Sequence, residues 1–247
     1  MTDHATIRAF AIGDVIARGF SVYFKNLATF VPLSLIAFIP VWLGLILIEQ
    51  GPAMGGAALG SGMVFMIVLQ TVAGYWLQAA LVYGTISSMR GHPAGFGETF
   101  SKALAALASV IVLGIVISIL VGLGMILFIV PGVIVMVMFF VAIPAAVVER
   151  EGIGAALTRS RELTKGHRWS IFALFIVMML ALGIISGLVG LATGAGQGYP
   201  SEAGLWINQI VSMVIGGVWA TITAVAYHDL RILKDGGDTE SIARAFD

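Results

Sequence analysis

The residues best equipped for chemistry lie in one polar stretch, Glu149-Arg150-Glu151 and Arg159 to Arg168, with His167 inside it. Acids, bases and a histidine close together are the groups from which general acid–base attack on a lipid headgroup is assembled. The same residues also make an anchor, each base attracting anionic lipid by about 1 kcal/mol. The spacing favours the anchor, because no nucleophile, base and orienting group fall into register. His228-Asp229 is a second, weaker pair, and His4 and His92 stand in loops without metal-ligand company. There is no zincin-type spacing and no cysteine, so no catalytic residue, metal or cofactor is expected.

A different chemistry would need polar groups inside hydrocarbon. Gln70, Gly74 and Gln78 recur at helical spacing beside Thr71 and Tyr75, which places two amides on one face of a helix. Such a face lines a path for a permeant or headgroup, or it bonds to a neighbouring helix at about 1 kcal/mol per contact. No Asp, Glu, Lys, Arg or His sits near the middle of an apolar run, which disfavours a proton- or ion-coupled transporter. Gly183, Gly187, Gly190 and Gly194 form a small-residue stripe suited to tight packing within the chain or between chains.

The elements that must position these residues are long and apolar. The 247 residues are 59% hydrophobic and 11% charged, with mean hydropathy +1.03. Soluble domains carry about 25% charged residues, so this is the composition of a polytopic membrane protein. Apolar runs over 28–48, 63–88, 103–129, 132–148, 171–192 and 205–227 predict six spans, most reaching the roughly 20 residues that cross a bilayer core. A single helix over 103–148 would overshoot, and Phe128-Ile129-Val130-Pro131-Gly132 suits a tight turn between two helices. Pro32 and Pro40 in the first span and Pro144 in the fourth predict kinks. The polar lead-in before the first run disfavours a cleaved signal peptide.

All 13 Lys and Arg residues fall in alternate connections. Arg8, Arg18 and Lys25 precede the first span; Arg90 and Lys102 separate the second and third; Arg150, Arg159, Arg161, Lys165 and Arg168 separate the fourth and fifth; Arg231, Lys234 and Arg244 follow the sixth. The opposite loops hold only Glu49 and Glu202. Because bases stay on the cytoplasmic side, both termini are expected there. The zero formal net charge hides this asymmetry, and nothing supports nucleic-acid binding.

A short pattern recurs before the odd-numbered spans: Ile12-Gly13 to Arg18, Phe96-Gly97 to Lys102 and Ile153-Gly154 to Arg159. Each has an apolar residue three after the glycine (Ile16, Phe100, Leu157) and a base two further on. In the first copy Ile12, Val15, Ile16, Gly19, Val22 and Tyr23 recur at helical spacing, while Asp14, Arg18, Ser21 and Lys25 fall elsewhere. That predicts a helix lying in the interface, its apolar face toward the acyl boundary and its bases toward headgroups. The expected fold is therefore all-α: six transmembrane helices as three helical hairpins, each preceded by a cytoplasmic interfacial amphipathic helix. The chain forms a single membrane domain, 1–247, with repeats over 10–90, 94–150 and 152–232 and a cytoplasmic tail, 233–247.

The segment Ile129-Val130-Pro131-Gly132 to Ile143-Pro144-Ala145-Ala146-Val147-Val148-Glu149, continuing through Ala155 to Trp169, resembles bacterial polytopic proteins related to the membrane domain of glycerophosphoryl diester phosphodiesterases and the inner-membrane families around it. Val22-Tyr23-Phe24-Lys25-Asn26-Leu27 is similar to that group's N-terminal signature. The resemblance implies a membrane domain alone, without the soluble barrel domain that carries hydrolysis in that group. It transfers no catalytic residue.

Together these readings predict a non-enzymatic protein of the bacterial inner membrane, concerned with lipid or envelope homeostasis or acting as a membrane accessory. Its partners would be anionic headgroups, met by Arg18, Lys25, Lys102, Arg159, Arg161, Lys165 and Arg168, and either further copies or another membrane protein. The alternatives are a channel or transporter for a small or lipid-like solute lined by Gln70 and Gln78, and an enzyme acting on headgroups.

Overall fold

The computed structural model describes residues 10–49, 56–193 and 202–245. His4, Arg8 and Gly194 lie outside the described residues. Those described form α1 (Ile12–Lys25), α2 (Leu27–Glu49), α3 (Gly56–Met89), α4 (Phe96–Leu127), α5 (Ile129–Met138), α6 (Ala142–Glu149), α7 (Ile153–Thr164), α8 (Arg168–Ala192) and α9 (Glu202–Ala245). Six helical segments are long and apolar enough to cross a membrane: Leu27–Gly44, Val64–Met89, Phe96–Leu127, Ile129–Glu149, Arg168–Ala192 and Trp206–Gly236. They coincide with the six expected runs. Large apolar side chains stand bare at the ends of these helices, including Ile126 at 83% and Leu191 at 76% exposure. Hydrocarbon, not water, is the solvent for such a surface.

The core gathers around α9. Within its span 61% is buried, against 17% for Phe96–Leu127 and for Arg168–Ala192. Ile222, Val225, Tyr227 and Leu230 are almost wholly enclosed. α1 lies along α9 through Val15, Gly19 and Tyr23, an i, i+4, i+8 stripe. A Cβ on Gly19 would stand 2.5 Å from Cγ1 and 3.1 Å from Cα of Ile222, and one on Gly217 would stand 2.3 Å from the Tyr23 ring. Each helix thus offers a glycine to the other's bulky side chain. The stripe expected at the acyl boundary is spent on protein, because the missing side chains let the helices approach closely enough to exclude lipid.

The lead-ins differ from one another. α1 turns into α2 at Asn26, whose Nδ2 donates to Val22 O at 2.8 Å and to Ser88 Oγ at 3.1 Å, tying the elbow to the end of α3. α7 is likewise separate from α8, but the second lead-in is simply the first turns of α4. No interfacial helix precedes the third span as its own element. The expected tail continues α9 to Ala245.

α4 and α5 meet through one extended residue, Phe128. A Cβ on Gly124 would come 2.8 Å from Gly132 Cα, so the two backbones pack directly on each other. Pro131 falls in the first turn of α5, where its missing N–H costs nothing. The fourth span then breaks at Phe139–Val141, upstream of Pro144, which takes a first-turn position in α6. The break leaves the Met138 carbonyl without its helical donor, since Ala142 N donates to Phe139 O instead. Ser160 Oγ at 3.0 Å and Thr164 Oγ1 at 3.3 Å, both fully buried on α7, donate to it. Pro32 and Pro40, by contrast, lie inside an unbroken α2.

Gly19→Ala is expected to lower stability by about 1–3 kcal/mol through overpacking against Ile222. Gly13→Ala, on the same helix with nothing within 4 Å of the new Cβ, should be neutral or gain up to about 1 kcal/mol. Thermal melting of both variants in detergent checks the contrast.

Candidate functional site

The charged connections converge on one end of the bundle. Arg18 on α1 grips Asp229 on α9 with both guanidinium nitrogens, Nη1 donating to Oδ1 at 2.8 Å and Nη2 to Oδ2. Arg159 on α7 donates from Nε to Glu149 Oε1 at 3.0 Å and from Nη2 to Asp235 Oδ2 at 2.6 Å. Tyr227 Oη donates to the same Glu149 oxygen at 2.7 Å, and Arg231 Nε donates to Asp235 at 3.3 Å. Two short helices and the end of α6 are thereby fastened to α9 through charge-assisted bonds, the strongest hydrogen bonds available to side chains.

These pairs hold the two guanidiniums in their charged form. The hydrogen bond to Asp229 raises the Arg18 pKa against partial burial, and attraction to Asp229 and Asp14 adds to it. For Arg159, burial opposes the charge, but Asp235 and Glu149 outweigh it and the pKa rises. His167 moves the other way: burial, together with repulsion from Lys234, lowers its pKa. Its Nδ1 is buried without a hydrogen-bond partner among the described residues, and its ring rests against Phe10.

The bases named from sequence fall into two groups. Arg18 and Arg159 are committed to acids within the chain. Lys25, Lys102, Arg161 and Lys165 are exposed and take no ion pair among the described residues. Arg168 is half-buried, with its Nε enclosed and unpartnered beside an apolar groove lined by Val133, Val137, Trp169 and Phe172. The three bases of the recurring lead-in therefore do different work: two clamp α9, and Lys102 stays free.

In the fourth connection the acid and the histidine take different partners. Glu149 is occupied by Arg159 and Tyr227, while His167 packs on Phe10. Gln70 is exposed and Gln78 half-buried, and neither forms a side-chain hydrogen bond among the described residues. Gln70 thus stands on the outside of the chain, and neither amide bonds a neighbouring helix among the described residues. Gly183 and Gly187 meet nothing within 4 Å, so the close approaches within the chain are made by Gly19, Gly84, Gly114, Gly124, Gly132 and Gly217 instead.

Arg90 and Arg150 entered the sequence reading through the charge partition and the polar stretch, and not among the headgroup-binding bases. Arg90 follows the end of α3 and Arg150 caps α6, and together with Lys102 they border a cleft of about 220 Å³. A second cleft beside it is lined by Arg90, Glu149, Glu151, Arg159 and Arg231. The available signal was position: each of the two arginines is the first charge beyond a spanning segment or one residue past its closing acid.

Asp229→Asn removes the acceptor charge that fastens α1, and a loss of about 1–3 kcal/mol is expected, read as a lower melting temperature and earlier proteolytic release of residues before α2. The lowered pKa of His167 means that its neutral ring favours the folded state above the ordinary value of about 6.5, and that this contribution is lost as pH falls through the lowered value. The wild-type melting temperature should therefore fall more steeply than that of His167→Phe as pH is taken from about 7 to about 5.

No curated protein and no solved structure matches the chain. One family's sequence model matches residues 58–230, from the start of α3 to the buried Leu230 of α9, which encloses α6, α7 and the first cleft and stops one residue short of Arg231 in the second. On that match, which spans well over half of its length, the chain belongs to the family described as domain of unknown function DUF7847.

Proposed function

We propose that this chain is a non-enzymatic, lipid-interacting protein of the bacterial cytoplasmic membrane, with both termini on the cytoplasmic side and its charged end against the anionic leaflet. The observation that carries the reading is the division among its bases. Those needed to hold the fold are paired to acids, and Lys25, Lys102, Arg161 and Lys165 are left exposed where the apolar helices end. Trp169, 84% exposed at the start of α8, supports the same depth, since indole rings favour the headgroup level. The likeness of residues 129–169 to the membrane domain of glycerophosphoryl diester phosphodiesterases supports a role at the bilayer without its hydrolytic chemistry.

Transport draws less support, because Gln70 is exposed and Gln78 only half-buried, and neither takes a side-chain hydrogen bond among the described residues. A headgroup enzyme draws less again, because Glu149 Oε1 already accepts from Arg159 and Tyr227 while the His167 ring packs on Phe10.

The test is native mass spectrometry of the full chain from gentle detergent with equal phosphatidylglycerol and phosphatidylcholine. Wild type should enrich phosphatidylglycerol, and the triple variant Lys25→Gln, Arg161→Gln, Lys165→Gln should lose about tenfold or more of that preference. An unchanged lipid ratio would sink the reading.

A further inference from the structure

We propose that Arg90, Lys102 and Arg150 form a binding site for a single phosphate group, either the headgroup phosphate of an anionic phospholipid or that of a small soluble phosphorylated alcohol. The site rests on the lipid reading only for the source of its phosphate.

Three cations from three separate elements border one concavity: Arg90 after α3, Lys102 in α4 and Arg150 after α6. None of the three takes an ion pair among the described residues, in contrast to Arg18 and Arg159 at the same end. Like charges brought together without counter-ions repel, so the arrangement is stabilised by an anion from outside. The acids nearby leave room for one. Glu98 accepts the Tyr83 hydroxyl at 2.7 Å, Glu149 is held by Arg159 and Tyr227, and Glu151 lies on the adjoining cleft.

The backbone presents the two arginines in fixed directions. The turn carrying Arg90 is closed by Ser87, whose carbonyl accepts from His92 N at 3.2 Å and whose hydroxyl donates to His92 O at 2.6 Å, with Gly91 at φ +81°. Arg150 has φ +56°, and it is the non-glycine residue with positive φ among the described residues. A left-handed position after a helix is one that glycine fills without strain. Arg150 holds that position with its Nε donating to Val147 O at 3.5 Å, and it borders the cleft from there.

Size and depth narrow the ligand. The cleft holds about 220 Å³, below the roughly 300–1,000 Å³ of pockets for drug-sized ligands, which suits a phosphate with a short alcohol. The spans Val64–Met89 and Ile129–Glu149 end immediately before Arg90 and Arg150, so the cleft opens where hydrocarbon gives way to headgroups. Forked guanidiniums recognise phosphate oxygens in pairs, and the lysine adds a point charge.

The experiment uses the full chain in phosphate-free buffer and the double variant Arg90→Gln, Arg150→Gln, with Lys234→Gln as a control that removes a charge outside the cleft. Thermal shift with inorganic phosphate and with glycerol phosphate reads the soluble source. Retention of phosphatidylglycerol over phosphatidylcholine under rising collision energy reads the lipid source. Melting of each variant without ligand separates binding from folding. Wild type and the control should bind in one arm at least, and the double variant should bind at least about tenfold more weakly in that arm with its ligand-free melting unchanged. Binding in the lipid arm alone identifies a headgroup site, and binding in the soluble arm identifies a small phosphorylated ligand. No binding by wild type in either arm overturns the proposal, as does equal loss in the double variant and the control. Retained lipid preference in Lys25→Gln, Arg161→Gln, Lys165→Gln with loss in the cleft variant would overturn the general headgroup reading and leave this site standing.

Discussion

Arg18 and Arg159 reach from two short helices to acids on α9, and the charged end of the molecule depends on those bonds. α1 and α7, with 14 and 12 residues, are too short to persist alone in water. Each needs a surface to bury its apolar stripe and a partner for its cation. α9 supplies α1 with a close-packed face at Gly217 and Ile222, and gives each helix an acid, Asp229 and Asp235, about two and between about three and four turns beyond Ile222. Asp229 and Asp235 would be expensive so near hydrocarbon if unpaired, and the arginines would be expensive without them. The pairing therefore settles where two helices lie and how α9 leaves the spanning region.

The irregular fourth span obeys the same economy of polar groups. A backbone carbonyl freed inside a membrane protein must find a donor, because lipid offers none. Met138 O finds Ser160 and Thr164 one turn apart on α7. This joins the break to the helix that Arg159 clamps, so the end of α6, the seat of α7 and the position of Arg150 are set together. The exposed bases are what remains once such needs are met, and on the proposed reading they are the surface offered to phosphate.

Much of the architecture was readable from residue order. Six apolar runs became six spanning segments because run length in an apolar solvent leaves a helix no alternative. The Pro131-Gly132 turn appeared nearly where expected, since proline and glycine act locally. The lead-in pattern was half readable. Helical periodicity identified the stripe Val15, Gly19 and Tyr23, but periodicity only says that a face is buried and not whether lipid or protein covers it. The glycine stripe of α8 was half readable for a similar reason: small residues permit contact without specifying it, and Gly183 and Gly187 meet nothing within one chain.

The sequence by itself determined the all-helical class, the six spans and the confinement of charge to alternate connections, because these follow from local composition and the cost of polar groups in hydrocarbon. Only the tertiary structure decided which charges are spent and which are free. Arg18 and Asp229 are far apart along the chain, as are Arg159 and Asp235, and nothing in their neighbourhoods announces the pairing. Arg90, Lys102 and Arg150 likewise belong to three connections that meet only when α3, α4 and α6 pack. A base written alone carries the same charge in either group, and it is the distance to an acid, set by packing, that separates a strut from a binding site.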